Sequence, residues 1–214
     1  MSLTRFYCPQ KYAPGNALVN WSGRPLEDLV TYAETYRSAA CRLVQAQQSL
    51  NLNAPDQQAL PILYLYRHSL ELFLKSIVYH AATLSISETE LPIALPRLWR
   101  EHSLLKLQKM ARPVLDIARW PSVDTEELAT RLATTSAAID SVDSGSYAFR
   151  YPVTTTGTSS LPPAFLVNMF HFSDEMESVL EQCRLLCGDL RQQAGTASTQ
   201  MKLALHSLTS PVAT

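Results

Sequence analysis

Residues 61–75 are apolar at almost every position yet carry a stripe of ionisable side chains, and this combination limits what the chain can fold into. Arg67, Glu71 and Lys75 follow one another at four-residue steps, which places them on one face of an α-helix. His68 lies seven residues before Lys75 and therefore shares that face. Because isolated charges are costly to bury, each should meet an opposite charge or a hydrogen-bonding group. The segment predicts a core helix with a polar centre.

Hydrophobic residues recur at helical spacing through most of the chain. The predicted helices cover about residues 25–50, 56–82, 102–111 with a continuation toward 120, 124–142 and 162–191. Asp124, three residues before Glu127, fits the capping box that begins many helices. Residues 83–99 contain two prolines and are predicted to form a long connection. We therefore expect an all-α fold, a four- to five-helix up-and-down bundle.

The two ends of the chain differ in composition from the bundle between them. Residues 1–24 are interrupted by proline and glycine and predict an irregular N-terminal arm. Residues 192–214 are small and polar and predict a flexible C-terminal tail. The bundle itself is assigned to residues 25–191. Within it, a run of β-prone aromatic residues predicts a short extended loop near 145–153.

Composition narrows the classes of function. The hydrophobic share of 46% is enough for a core, and the net charge of −1 gives no bulk attraction to nucleic acid or to anionic membranes. No apolar run approaches the roughly 18 residues of a membrane span. No apolar signal core is recognisable near residue 1, so a cytoplasmic location is expected. The four cysteines lack ligand spacing, so no metal and no other cofactor is predicted.

Two segments resemble the paired signatures of HEPN-type helical domains. Residues 66–75 read YRHSLELFLK and contain the pattern E-L-x-L-K, and residues 101–107 read EHSLLKL and contain H-x-L-x-x-L. The later segment 143–152 is similar to an element of one bacterial branch with this architecture. The resemblance covers about residues 55–190. It implies a helical bundle, commonly a homodimer, often found in toxin–antitoxin or antiviral defence systems.

The resemblance also implies a chemistry, because active HEPN members are metal-independent endoribonucleases. Their motif is an arginine, a polar residue and then a histidine four to six residues after the arginine. Arg97 and His102 have this spacing, although the residue after Arg97 is Leu98. In this interpretation His102 or His68 is the acid/base and Arg150 or Arg97 stabilises the phosphate. RNA or a nucleotide would be the ligand, held in a pocket to which Arg67, Lys75 and Arg150 supply positive charge beside Glu71, and an antitoxin would be a protein partner.

A second interpretation uses the same residues without catalysis. Arg67, Glu71, Lys75 and His102, with Arg150 as a further partner for Glu71, would form a buried polar network that fixes the register of the helices. The chain would then be a protein-interaction module, such as an adaptor or an immunity-type partner. The remaining polar candidates are interpreted as capping or solvated groups (Asp140, Asp143) and as a surface residue (His80). The sequence leaves both interpretations open, including whether the protein is an enzyme.

Overall fold

The computed structural model describes residues 26–50, 56–86 and 95–193, together with positions 17, 22 and 24. Their helices are α1 (Leu29–Leu50), α2 (Asp56–Thr83), α3 (Pro96–Arg100), α4 (Leu104–Ile117), α5 (Thr125–Asp143) and α6 (Met169–Gln192). These residues contain no β-strand, only an antiparallel bridge between Val153 and Ser159. The prediction of an all-α bundle is confirmed. Most of the predicted arm (1–24), and the predicted tail beyond Gln193, lie outside the described residues.

Helix α2 lies at the centre of the bundle because it is apolar on nearly all sides. It packs against α1, α4 and α6. The Tyr66 hydroxyl lies 2.8 Å from the Ser173 hydroxyl, and the Ser76 hydroxyl lies 3.7 Å from the Cys187 thiol. These two contacts show that α2 and α6 run in the same direction. The connection 144–168 joins the end of α5 to the start of α6.

Aspartates cap two of the helices and join α4 to α5. Asp140 on α5 accepts hydrogen bonds from the Ser103 hydroxyl (2.6 Å) and from the backbone N–H groups of Leu104 and Leu105 (3.0 Å each). Asp124 accepts from two backbone N–H groups in the first turn of α5. These bonds use donors that a helix end would otherwise leave unpaired. The capping roles predicted for Asp124 and Asp140 are confirmed.

Several helix boundaries differ from the prediction, since α1 begins at Leu29 instead of near residue 25 and α4 begins at Leu104 instead of near residue 102. The short helix α3 begins within the predicted connection 83–99, where Pro96 occupies its first turn and Leu98 is buried. Helix α6 begins at Met169 instead of near residue 162. Asn168 is the reason, because its side-chain oxygen accepts from two N–H groups of the first turn of α6.

The core is a single cluster built mainly from α2, α4, α5 and α6. Its largest fully buried apolar side chains are Ile62, Tyr66, Leu70, Phe73, Leu74, Ile77, Leu98, Leu104, Leu107 and Leu128. None of the helices described here is long and apolar enough to cross a membrane. The buried face of α2 meets other helices, and its polar stripe is enclosed with it.

Candidate functional site

The carboxylate of Glu71 is the centre of the polar stripe on α2. Only 2% of its side chain is exposed. Its Oε1 accepts from Lys75 Nζ and lies beside His102 Nδ1, both at 2.9 Å, while its Oε2 accepts from Arg67 Nη1 at 2.9 Å. The four-residue steps noted in the sequence thus become two direct ion pairs along one helix face.

Arg67 is fully buried and ties three parts of the chain together. Its Nη2 donates to the carbonyl oxygen of His102 (2.7 Å), just before α4. Its Nε donates to the carbonyl oxygen of Asp143 (3.1 Å) and lies 3.2 Å from Asp143 Oδ2, at the end of α5. With the bond to Glu71, each guanidinium nitrogen has a partner. This arrangement satisfies a buried guanidinium and offers none of it to a ligand.

Charges within this cluster nearly balance. The cations of Arg67 and Lys75 face the carboxylates of Glu71 and Asp143. Burial alone would raise the pKa of Glu71. The charge and hydrogen bond of Lys75, the hydrogen bond of His102 and the charge of Arg67 outweigh burial and hold this pKa below its ordinary value. Glu71 therefore stays ionised at neutral pH.

His102 is the member of the cluster that reaches the surface. Half of its side chain is exposed (51%), yet its Nδ1 is held by the buried Glu71 carboxylate. No other described residue makes a hydrogen bond to its Nε2. A carboxylate that orients one ring nitrogen while the other stays free is the arrangement that supports acid/base catalysis by histidine. The partnership of His102 with Glu71, considered from the sequence, is present in the structure.

Arg150, the other expected partner of Glu71, lies elsewhere. Its guanidinium donates to the carbonyl oxygen of Ser146 and lies 5.5 Å from the Tyr64 ring centre and 5.4 Å from that of Tyr151. Asp143 explains this position, since its Oδ1 accepts from backbone N–H groups of the following turn and shapes the segment that carries Arg150 outward. Arg67 is thus the arginine that binds Glu71.

The two remaining candidates do not join the cluster. Arg97 is exposed on α3, and no hydrogen bond between described residues links it to His102. His68 lies between aromatic rings, edge-on to Tyr36 (4.5 Å between centres) and stacked on Tyr64 (5.6 Å). Burial lowers the pKa of His68, and its Nδ1 has no hydrogen-bond partner. His68 is therefore a neutral packing residue in this structure.

The sequence predicted that His80 is a surface residue, and this prediction is wrong. It is buried, and Arg191 Nε donates to its Nε2 at 3.2 Å. Burial and the charge of Arg191 lower the pKa of His80 to about 4, against a smaller opposing effect of Glu27. The sequence contained the signal, since His80 lies three residues after the core residue Ile77 on the same helix.

Sequence reasoning missed an apolar groove of about 310 Å³ between the start of α2 and the segment 161–169. Its wall includes Leu60, Leu63, Leu161 and Met169. Large apolar side chains remain exposed beside it or close to it: Leu60, Phe165, Leu166, Val167 and Phe170. The apolar spacing at residues 165–167 fits the first turns of a helix, so the sequence predicted that these residues belong to α6.

No protein-family model matches the chain, and comparisons with curated proteins and with solved structures give no significant match. The likeness to HEPN domains therefore stays a prediction. Among the described residues, no three His, Cys, Asp or Glu side chains are grouped as a metal ion would require. Cys183 and Cys187 are buried in the core, and burial raises the pKa of both thiols. The features that remain as candidates are the edge histidine His102 and the apolar groove.

Proposed function

We propose that this chain is a non-catalytic protein-interaction module. Its ionic cluster holds the helices in register, and its binding surface is the apolar groove beside residues 161–169. The observation that carries the proposal is the exposure of several large apolar side chains around one groove. Exposed apolar side chains gathered around one groove are typical of protein-binding sites.

The ionic cluster supports the non-catalytic part of the proposal. Arg67, Glu71 and Lys75 are buried and bonded to one another or to backbone oxygens. To bind a phosphate, either cation would have to leave Glu71, and an unpaired buried carboxylate costs several kcal/mol. A cluster that is already satisfied acts on stability and helix register more readily than on ligand binding.

A peptide-display selection on the immobilised protein tests the interaction function. Phe165→Asp places a charge beside the groove, and Tyr32→Asp places one on an exposed apolar residue of α1 as the matched control. We expect selected peptides to bind the wild type and Tyr32→Asp but not Phe165→Asp. Peptides that bind all three proteins equally, or a selection that yields no binder, would contradict the proposal.

The pair formed by Glu71 and His102 favours a second candidate function, a HEPN-like metal-independent ribonuclease. In that case His102 would exchange protons with the RNA through its free Nε2, with Glu71 as the orienting group. A homodimer, an antitoxin partner and a cytoplasmic location belong to this candidate.

The ribonuclease candidate has a direct test in mixed RNA incubated with the purified protein. Cleavage by the wild type that is lost in His102→Ala would support it. His171→Ala, at an exposed histidine in the first turn of α6, is the matched control and should cleave as the wild type does. Absence of cleavage by the wild type, or equal cleavage by wild type and His102→Ala, would remove the role given to His102.

A further inference from the structure

Four residues between Leu161 and α6 have backbone groups that no other described residue pairs with. Ala164, Phe165, Leu166 and Val167 make no backbone hydrogen bond to any described residue. The side chains along this stretch are exposed: 42% at Phe165, complete at Leu166 and 36% at Val167. All four side chains are exposed and line the groove, so the unpaired backbone beside them is open to a partner. We call residues 164–167 the docking edge.

We propose that the docking edge binds an extended peptide, which pairs with its backbone as an added strand and places apolar side chains in the adjacent groove. The inference rests on the proposed interaction function and names the partner of that site. Unpaired N–H and C=O groups on an exposed extended segment are a template for strand addition. Backbone pairing gives such complexes their affinity, and pockets for alternate side chains give them specificity.

Neighbouring residues limit the length of this pairing. Pro162 and Pro163 lack the N–H group that a strand partner would need, and they end the docking edge on one side. Asn168 ends it on the other side, because its side chain caps α6. The partner therefore pairs over about four residues, which is the length of a short strand.

The groove determines which side chains the peptide should carry. A cavity of about 150 Å³ accommodates a benzene-sized group, so the groove volume of about 310 Å³ holds about two apolar side chains. In an extended peptide, the side chains of every second residue lie on the same face. Asp56 is the charged residue among those that line the groove, so charge complementarity favours a lysine or arginine beside them. The occupant is an extended segment with alternate apolar residues and a basic residue at one end.

A synthetic peptide with matched backbone variants tests this mode of binding. The probe is a fluorescein-labelled ten-residue peptide in which Leu and Val alternate with Thr and two Lys residues precede the first Leu. One variant is N-methylated at the Leu and Val residues and the other at the Thr residues. Because alternate N–H groups of a strand point to opposite edges, strand pairing is blocked in only one of the two variants.

Fluorescence anisotropy with the full chain supplies the measurement. We expect the unmodified peptide to bind with Kd of about 10–100 μM, and one N-methylated variant to bind roughly 10-fold more weakly while the other changes by less than about 2-fold. Leu60→Asp, in the wall of the groove, should weaken binding of the unmodified peptide by about 10-fold. Tyr32→Asp is the control and should bind as the wild type does.

Several outcomes would overturn the inference: no binding of the unmodified peptide, equal weakening by both N-methylated variants, or no effect of Leu60→Asp. Sedimentation of the protein alone tests a second copy as the occupant, and self-association that Leu60→Asp abolishes would assign the groove to it. A synthetic peptide of residues 198–208 that binds more tightly than the probe would assign the groove to the chain's own segment. If the display selection still yields peptides that depend on Phe165, the interaction function stands and only the extended mode fails.

Discussion

Replacement of Glu71 by glutamine tests the ionic cluster most directly. Glu71→Gln preserves the size of the side chain but removes a negative charge that has Lys75 on one oxygen and Arg67 on the other, each at 2.9 Å. Arg67 keeps its bonds to the carbonyl oxygens of His102 and Asp143. Lys75 has no second partner among the described residues, so it bears most of the loss.

The expected loss of stability follows from this difference between Arg67 and Lys75. Breaking a buried ion pair by removing one partner costs roughly 3–5 kcal/mol. We expect Glu71→Gln to lie near the lower end, a loss of about 3 kcal/mol, because Arg67 remains satisfied and glutamine keeps one acceptor oxygen. For a chain of this size, such a loss lowers Tm by about 6–12 °C. Urea unfolding followed by circular dichroism measures the free energy.

An exposed ion pair provides the matched control for Glu71→Gln. Glu127 lies 3.5 Å from Arg131 at the same four-residue spacing, but more than half of its side chain is exposed. Glu127→Gln should therefore cost less than about 1 kcal/mol. If Glu71→Gln were as mild as this control, Glu71 would not hold the buried cations and the structural role of the cluster would be refuted.

The same substitution has a pH signature. Since the folded pKa of Glu71 is held below its ordinary value of 4.5, the stability that its charge contributes is present above pH 4.5. This contribution is lost as the pH falls below 4.5 and through the folded pKa, because the unfolded carboxylate takes up a proton at a higher pH than the folded one does. The difference in free energy of unfolding between wild type and Glu71→Gln should therefore narrow in acid. A difference that is constant from neutral pH to pH 3 would contradict this account.

Three further predictions concern other parts of the chain. His80 has a pKa of about 4 when folded against 6.5 ordinarily, so stability should rise by up to about 3 kcal/mol between those pH values as the unfolded chain gives up its proton. His80→Gln should remove that rise in urea titrations at several pH values, and an unchanged slope would refute the assignment. Asp140→Ala should cost about 1–2 kcal/mol in the same unfolding assay, because it leaves the first N–H groups of α4 uncapped; a loss under about 0.5 kcal/mol would contradict that role. Leu166→Glu should change stability by less than about 0.5 kcal/mol, because this side chain is fully exposed, and a larger loss would show that Leu166 packs in the folded protein.

Local rules predicted the parts of the molecule that depend on neighbours in sequence. The ends of α2 lie within one residue of the prediction, and the cap at Asp124 begins α5 as expected. The pairing of Glu71 with Lys75 and Arg67 follows from four-residue spacing on one helix. These features need only the helical period and the chemistry of one turn.

Other features depend on how distant segments meet, and the sequence carried little signal for them. The carbonyl oxygen of Asp143 reaches Arg67 only because α5 ends beside the middle of α2. Arg150 was expected at Glu71, but a turn organised by Asp143 takes it to Tyr64 instead. Residues 165–167 continue a helical pattern of apolar spacing, yet the cap at Asn168 excludes them from α6. In each case a tertiary contact or a local cap decided the outcome.

The ionic cluster lies in the core and the groove lies at the surface, so substitutions at the two places should have different effects. Glu71 and Arg67 lie inside the bundle, so substitutions there should act mainly on the free energy of unfolding and not on the surface. Phe165 and Leu166 lie outside the packed core, so changing them should affect the proposed binding while the fold persists. Loss of binding at unchanged stability therefore identifies the groove as the working surface. Among the residues of the cluster, His102 is the one that is both anchored by the buried carboxylate and half-exposed to solvent. RNA cleavage that is lost in His102→Ala would therefore assign the function to the cluster instead of the groove.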